Sequence, residues 1–384
     1  MNFYLYISIC LSMLYSGFVL RYVYFWKQMP IAPDPDEAYH PTTFITVLIP
    51  VRNEADHILN CLKAILQNNY PQDLLEIIVL DDHSTDKTAK IVCEIIDNQW
   101  FKNLCLLQLA NYPPPESPAF KKYAIQLGIE TAKGALIVTT DGDCRVPAKW
   151  LFHIAQFYET KRVKCLAAPV RFDTELNDFQ RFQSLDFLGM MGVTAAGIQG
   201  KFTLMANGAN FAYEKAVFHE VNGFQGITHQ ASGDDMLLME KIAHRYPNDI
   251  GFLKNKNATV LTLPKQNIAD FLSQRMRWAS KTSTYTRIET IVQLATSLLF
   301  SLNIVGSGFF CFWKLSFLPI FVLQILTKTM IDFYFLNQMA LFFDRNDLMK
   351  RFYKSEMYHL LYIVIVGVTV QFKKKYEWKG RTVR

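Results

Sequence analysis

Asp141 and Asp143 straddle Gly142 at the end of the apolar run ALIVTT. In an extended chain, residues i and i+2 point to the same side, so both carboxylates can aim at one point, where they either repel or share a cation. A chain of this length contains on the order of one Asp-x-Asp by chance, and a second copy, Asp34-Pro-Asp36, lies in a proline-rich linker. The triplet therefore draws its meaning from context. Two further acidic pairs stand at comparable points: Asp81 and Asp82 directly after EIIVL, and Asp234 and Asp235 directly after Ser232 and Gly233. The bland alternatives are a capped strand-to-helix turn for the first and an acid-rich helix N-terminus for the second.

Four β-rich runs, TFITVLIPV, EIIVL, LCLLQL and ALIVTT, alternate with helical patterns between Asn53 and Gly134. Asn53 is a candidate cap of the first helix, and Gly134 a stop for the last. Such alternation predicts an α/β fold with a mostly parallel sheet, whose ligands bind beyond the carboxyl ends of the strands. Asp81, Asp82, Asp141 and Asp143 all fall at those ends, on one rim. No G-x-G-x-x-G or G-x-x-x-x-G-K-[ST] occurs, which argues against a dinucleotide or P-loop site. Beyond Pro147 the stretch LNDFQRFQSLDFLGMMGVTAAGIQG has Leu176, Phe179, Phe182 and Leu185 at three-residue intervals and no charge from Phe187 to Gly200. It reads either as a core helix or as one lying in a membrane interface.

Of the 384 residues, 51% are hydrophobic and 14% aromatic, an excess concentrated at the two ends. Residues 1–20, 290–313 and 357–372 carry no Asp, Glu, Lys or Arg, so a globular region flanked by membrane segments is expected. The N-terminal run lacks a basic leader and a small-residue cleavage site, and reads as an anchor with Arg21, Lys27 and Arg52 on its cytoplasmic side. Seven scattered cysteines without C-x-x-C suit a reducing compartment and argue against structural zinc. The net charge of +6 sits mostly in the tail after Phe372, so the body offers no nucleic-acid surface. That tail fits anionic lipid head groups instead.

Five separated pieces stand in order: IPVRNE at 49–54, VLDDHSTDKT at 79–88, TTDGDC at 139–144, SGDDMLLM at 232–239 and QRMRW at 274–278. Together they resemble the family 2 inverting glycosyltransferases of the GT-A fold. The likeness is to the membrane-bound members, namely the ceramide glucosyltransferase-like enzymes and the cellulose, hyaluronan and poly-N-acetylglucosamine synthases. Asp234 departs mildly from the pattern, which often has Glu there.

The resemblance implies a nucleotide-sugar donor, a UDP-sugar, and Mg²⁺ or Mn²⁺ on its pyrophosphate, since hard cations take one or two carboxylates plus phosphate oxygens. Asp143 would ligate the metal, Asp141 would meet the ribose or the metal's water shell, and Asp82 with Asp81 would hold the uracil-ribose end. Lys121 or Lys122 would reach the phosphates. Asp235 would be the base on the acceptor hydroxyl, and Asp234 would position the acceptor or cap the helix. Gly208 and Asn210 of MANGANFAY would shape the acceptor side. A helix puts Gln274, Arg277 and Trp278 on one face, with Arg277 against the charge developing on the diphosphate and Trp278 as an aromatic wall for the acceptor. Arg275 would point elsewhere, towards lipid phosphate.

The expected organisation is an anchor at 1–26, a GT-A catalytic domain with interfacial helices at 42–287, membrane helices at 288–372 and a basic tail at 373–384. Lys328 and Asp332, four residues apart, would neutralise each other within the bundle. The uncharged run 357–372 has 16 residues, and one anchor plus three spans would put the basic tail outside, so the last segment is re-entrant or interfacial, or it crosses against the positive-inside rule. The expected product is a glycosylated membrane lipid, made at the cytoplasmic face of the plasma (inner) membrane. A processive polysaccharide synthase would keep the same residues, whereas an inactive membrane scaffold predicts losses among Asp82, Asp141, Asp143, Asp235 and Arg277, and all five are present. A glycoside hydrolase would need no cation and no nucleotide site.

Overall fold

The structure is a computed structural model that describes residues 2–115, 117, 119–281, 287–372, 376–378 and 381–383. In chain order the elements are α1 (Asn2–Gln28), β1 (Ile45–Val51), α2 (Ile58–Leu66), β2 (Leu75–Asp81), α3 (Thr88–Asp97), β3 (Leu104–Gln108), α4 (Phe120–Thr131), β4 (Leu136–Thr139), α5 (Trp150–Lys161), β5 (Cys165–Ala167), β6 (Val170–Phe172) and α6 (Asp178–Gly200). They continue with β7 (Phe211–Glu214), α7 (Lys215–Glu220), α8 (Met236–Arg245), β8 (Ile250–Phe252), β9 (Val260–Thr262), α9 (Ile268–Ala279), α10 (Ile288–Phe310), α11 (Leu318–Phe342) and α12 (Phe352–Phe372). The chain divides into two compact units: Pro30–Asp173, Leu204–Leu263 and Glu377–Arg384 form one, and Met1–Met29, Thr174–Thr203 and Pro264–Tyr376 the other.

The first unit is built on a seven-stranded sheet in the order β3-β2-β1-β4-β7-β5-β8. β1 pairs in parallel with β2 on one side and β4 on the other, while β7 runs antiparallel to β4 and β5. β1 and β2 are apolar almost throughout because both faces are covered, as the strands of a parallel sheet require. Pro50 is tolerated in a central strand because β4 pairs only as far as Leu48. The missing N–H of Pro50 faces that vacated side, so no ladder bond is lost.

The second unit is helical. Among the described residues, four of its helical stretches, Asn2–Gln28, Ile288–Phe310, Leu315–Phe342 and Asn346–Phe372, are long and apolar enough to cross a membrane. The last begins well before residue 357, which makes it longer than the uncharged run suggests. α6 also belongs here and is buried along most of its length, packing on α1, α11 and α12, so it is a core helix of this unit. Both α6 and α9 thus group with the apolar helices, although their sequence positions fall inside 42–287.

Candidate active site

The parallel register of β1, β2 and β4 brings Val51, Asp81 and Thr139 to one rim of the sheet. Asp82 N donates to Val51 O (2.9 Å) and Thr140 N to Leu48 O (3.2 Å), so the acidic turns leave the sheet side by side. Asp81 and Asp82 are only 4% and 3% exposed. Asp81 Oδ1 accepts from Ser84 N (3.3 Å), and Asp82 Oδ1 lies 3.0 Å from His83 Nδ1. Arg52 Nη1 donates to the carbonyls of Asp82 (2.8 Å) and His83 (3.2 Å), tying the loop after β1 to the loop after β2. Asn53 is not a helix cap: its backbone is left-handed (φ 53°), α2 begins only at Ile58, and its Oδ1 accepts from Thr85 N at 2.8 Å. It serves the same loop-to-loop clamp.

Gly142 is dictated by its surroundings. A Cβ there would lie 2.7 Å from Val51 Cγ1 and 3.3 Å from Glu54 Cγ, so a side chain would push the turn off β1. Behind the turn, Cys61 Sγ donates to Asp141 O and Cys144 Sγ to Asp143 Oδ1, both at 3.6 Å. Burial pushes both thiols up, and the Asp143 and Asp141 charges push them further. They stay protonated and are poor metal ligands. The carboxylates are the accessible donors, Asp141 being 36% exposed in its side chain. An all-oxygen donor set open to solvent suits a hard divalent cation carrying water or phosphate. Asp34 of the linker triplet, by contrast, accepts from Asn255 and Asn257 side chains and is a structural tie.

The SGDD loop meets this turn through Lys121. Its Nζ lies 2.9 Å from Asp141 Oδ1 and 3.3 Å from Asp234 Oδ2. Burial lowers the pKa of this ammonium, but Asp141, Asp234 and Asp235 together outweigh that and raise it. Gly233 has φ +85°, the backbone that lets the loop turn sharply before α8. Asp235 caps α8, its Oδ1 accepting from Met236 N (2.6 Å) while its Oδ2 accepts from Gly208 N (2.9 Å). Gly208 O in turn accepts from Thr139 Oγ1 (2.7 Å), so β4, the MANGANFAY turn and the SGDD loop converge. A Cβ on Gly208 would meet Asp234 Oδ2 and Lys121 Nζ, each at 3.4 Å.

Two expected contacts take other roles. Asn210 is fully buried: its Nδ2 donates to Pro169 O and Ala258 O, and its Oδ1 accepts from Trp150 Nε1, which leaves no side-chain surface for an acceptor. Lys122 is 1% exposed and donates to the carbonyls of Ile227, Gln230 and Ser232, so it fastens the loop ahead of Gly233 instead of reaching for phosphate.

QRMRW lies on α9, in the other unit. The helix gives Gln274, Arg277 and Trp278 a common face, as their spacing predicts. Gln274 Oε1 is buried with no hydrogen-bond partner among the described residues. Arg275 does not point to lipid: it is buried, 2.8 Å from Asp186 Oδ2, with its guanidinium 4.5 Å from the Trp278 ring centroid. Trp278 also stacks on Phe187 at 6.1 Å. Asp332, Glu356 and His359 of the same unit offer metal-type ligand atoms within 4.8 Å of one another. Lys328 Nζ already touches all three, at 2.5, 2.5 and 3.2 Å, so an ammonium supplies the charge there.

Comparison with known proteins agrees with this geometry. Residues 46–221 match the family described as Glycosyl transferase family 2, and residues 136–343 match Glycosyl transferase family group 2. The chain is similar to a beta-monoglucosyldiacylglycerol synthase of Nostoc sp., 25% identical over 120 residues covering 31% of this chain and 24% of that one. It is also similar to a poly-beta-1,6-N-acetyl-D-glucosamine synthase of Staphylococcus epidermidis, 24% identical over 250 residues, 61% of this chain and 53% of that one. The chain spans a quarter to about half the length of such curated relatives. In three dimensions it is similar to a mannosyltransferase, PcManGT from Pyrobaculum calidifontis in complex with GDP-Man and Mn²⁺, with TM-score 0.59 and 19% identity over 96% of this chain and 99% of that one. That last likeness is one of fold, a GT-A sheet with flanking helices. With more than half of its length inside the matched profile and acidic turns on the rim where such sheets bind their ligands, the chain belongs to the family 2 glycosyltransferases and is an enzyme of that class.

Proposed function

We propose that the protein moves a sugar, with inversion, from a nucleotide sugar of the UDP type to a lipid acceptor held at a membrane. The observation that carries this reading is the convergence of Asp141, Lys121, Asp234, Gly208 and Asp235, which joins the strand-end acid pair to the SGDD loop within hydrogen-bond distances. Asp143 and Asp141 would hold Mg²⁺ or Mn²⁺, and the bound cation would neutralise the donor's pyrophosphate. Asp81 and Asp82, on the same rim, would hold the nucleoside end. Asp235 takes the proton of the attacking hydroxyl, and Asp234 positions the acceptor.

Arg277 is assigned to the leaving diphosphate and Trp278 to the acceptor. The orphaned Gln274 Oε1 supports a ligand-facing role for that helical face, because buried polar atoms are ordinarily paired. The four apolar helices and the lipid-directed relative support a membrane acceptor, with the sheet unit on the cytoplasmic face of the plasma (inner) membrane. A second reading, a processive polysaccharide synthase, is favoured by the relative that matches the larger share of the chain. Membranes containing the protein, incubated with labelled UDP- and GDP-sugars and then extracted with organic solvent, separate the two. Label in the lipid extract supports lipid transfer, label in polymer supports the second reading, and no incorporation above membranes lacking the protein refutes both.

A further inference from the structure

Two adjacent lysines open α4, and they fasten different things. Lys122 binds three carbonyls of the segment that leads into the SGDD loop, at 3.0 Å (Ile227), 2.5 Å (Gln230) and 2.8 Å (Ser232). Lys121 reaches past that segment to bridge Asp234 on the loop and Asp141 on the strand end. One helical turn therefore anchors the stem of the loop and, separately, ties its acidic tip to the proposed metal site. On the same tip, Asp235 holds Gly208 N and the start of its own helix.

We propose that Lys121 is a built-in counter-ion that stands in for the divalent cation in the donor-free enzyme, and that metal–nucleotide binding at Asp141 and Asp143 breaks its tie to Asp141 and so changes the restraint on Asp234 and Asp235. The physical reason is charge economy. Asp141, Asp234 and Asp235 are three acids in one small region, and a single ammonium sits between two of them. A divalent cation arriving on Asp141 places like charge beside that ammonium, and the repulsion between charges a few ångströms apart is large wherever water is partly excluded. Lys121 must then give up Asp141 and turn to Asp234 or to the incoming phosphates. Metal occupancy and the position of the proposed base are thereby coupled, while Lys122 keeps the loop stem in place. In this arrangement Lys121 is a positioning residue, and the coupling rests on the proposed metal site.

The test uses the full chain in lipid nanodiscs, with Mn²⁺ followed by the paramagnetic signal of the free ion and the loop followed by amide hydrogen exchange. In the wild type, Mn²⁺ with UDP should change exchange at residues 233–236 at least threefold while the stem at 227–232 changes less. Lys121→Met should bind Mn²⁺ at least threefold more tightly, and its loop exchange should no longer respond to Mn²⁺ and UDP. Lys121→Arg, which keeps the charge, should restore both wild-type behaviours. Mn²⁺ binding without any response of the wild-type loop overturns the coupling, as does unchanged or weaker Mn²⁺ binding by a folded Lys121→Met. Should that variant not fold, the wild-type exchange result decides. A wild type that takes up no Mn²⁺ refutes the metal reading itself, an outcome visible before any variant is made.

Discussion

Replacing Asp235 by Asn tests the proposed base, and the structure sets the size of the side effects. Both carboxylate oxygens accept backbone N–H groups, from Met236 at 2.6 Å and from Gly208 at 2.9 Å. Asn has one carbonyl oxygen, so whichever way its amide turns, its NH₂ faces one of those donors. Losing one such bond and opposing two donors costs about 1–3 kcal/mol, against about 5–15 kcal/mol for the stability of a typical domain. The variant should therefore fold and bind donor with metal. Removing a general base costs about 10²–10⁴ in rate; a loss of about 10³ corresponds to about 4 kcal/mol in the barrier. The assay is the initial rate of label transfer from nucleotide sugar to extractable product, at equal protein, with UDP and Mn²⁺ binding measured alongside. Asp234→Asn, which weakens the ion pair with Lys121 but keeps the shape of the side chain, should fall by about tenfold or less. If Asp235→Asn keeps more than about a tenth of wild-type transfer, or if Asp234→Asn is the worse variant, the assignment of the base is wrong.

Three further outcomes are expected. Asp143→Asn should weaken Mn²⁺ binding by at least about tenfold, the loss of one charged ligand, with unchanged circular dichroism; full activity of the wild type in EDTA would rule the metal out. Gly142→Ala should destabilise the sheet unit by about 1–3 kcal/mol through the clash with Val51, and adding Val51→Ala should recover part of the loss of thermal stability; equal melting of Gly142→Ala and wild type would show that the turn yields freely. Lys328→Met should cost about 3–5 kcal/mol by leaving buried acids unpaired, read as faster thermal inactivation in detergent, and inactivation at the wild-type rate would show that the cluster does not depend on its cation.

The half of the sheet unit that precedes Gly142 was legible because its strands lie in apolar runs of five to nine residues separated by helical patterns. β1, β3 and β4 fall inside the runs that the sequence marks, and β2 overruns EIIVL by one residue at each end. β5 to β9 are three or four residues each, too short for any period to register. α4 ends at Thr131 and not at Gly134, because Gly134 is pressed against the backbone of Thr46, where a Cβ would collide with the amide nitrogen. That glycine answers a tertiary contact, and no local signal distinguishes it from a helix stop. The same limit explains Asn210 and Lys122. Their types suit ligand binding, but the carbonyls they satisfy come from segments 41–110 residues away. The turns that carry Asp141 and Asp235 were legible because the glycines at 142 and 233 mark them, one packed against Val51 and the other at positive φ.

Arg275 shows how the helical unit fixes the face that bears Gln274, Arg277 and Trp278. From Arg275 on α9, polar contacts pass to Asp186 on α6, which accepts from Tyr362 on α12 (2.9 Å) and lies 3.8 Å from His359 Nε2. His359 Nδ1 meets Lys328 on α11, Lys328 meets Glu356 and Asp332, and Asp332 accepts from Tyr15 on α1 at 2.7 Å. On α12 the contributing residues are 356, 359 and 362, one stripe at three-residue spacing, and on α11 they are 328 and 332. Apolar packing alone would let these helices rotate or slide by a residue at little cost, since lipid and leucine are alike to one another. A charge on the wrong face, however, would be left unpaired in an apolar bundle, so the chain of partners admits one rotation and one register of α1, α6, α9, α11 and α12. Buried ion pairs contribute little net stability, and specifying a register is their best-attested use. Lys328 and Asp332 thus neutralise each other as their spacing suggests, and with Glu356, His359 and Asp186 they also set the rotation of α9, which decides whether Trp278 lies against Arg275 and Phe187 or away from them.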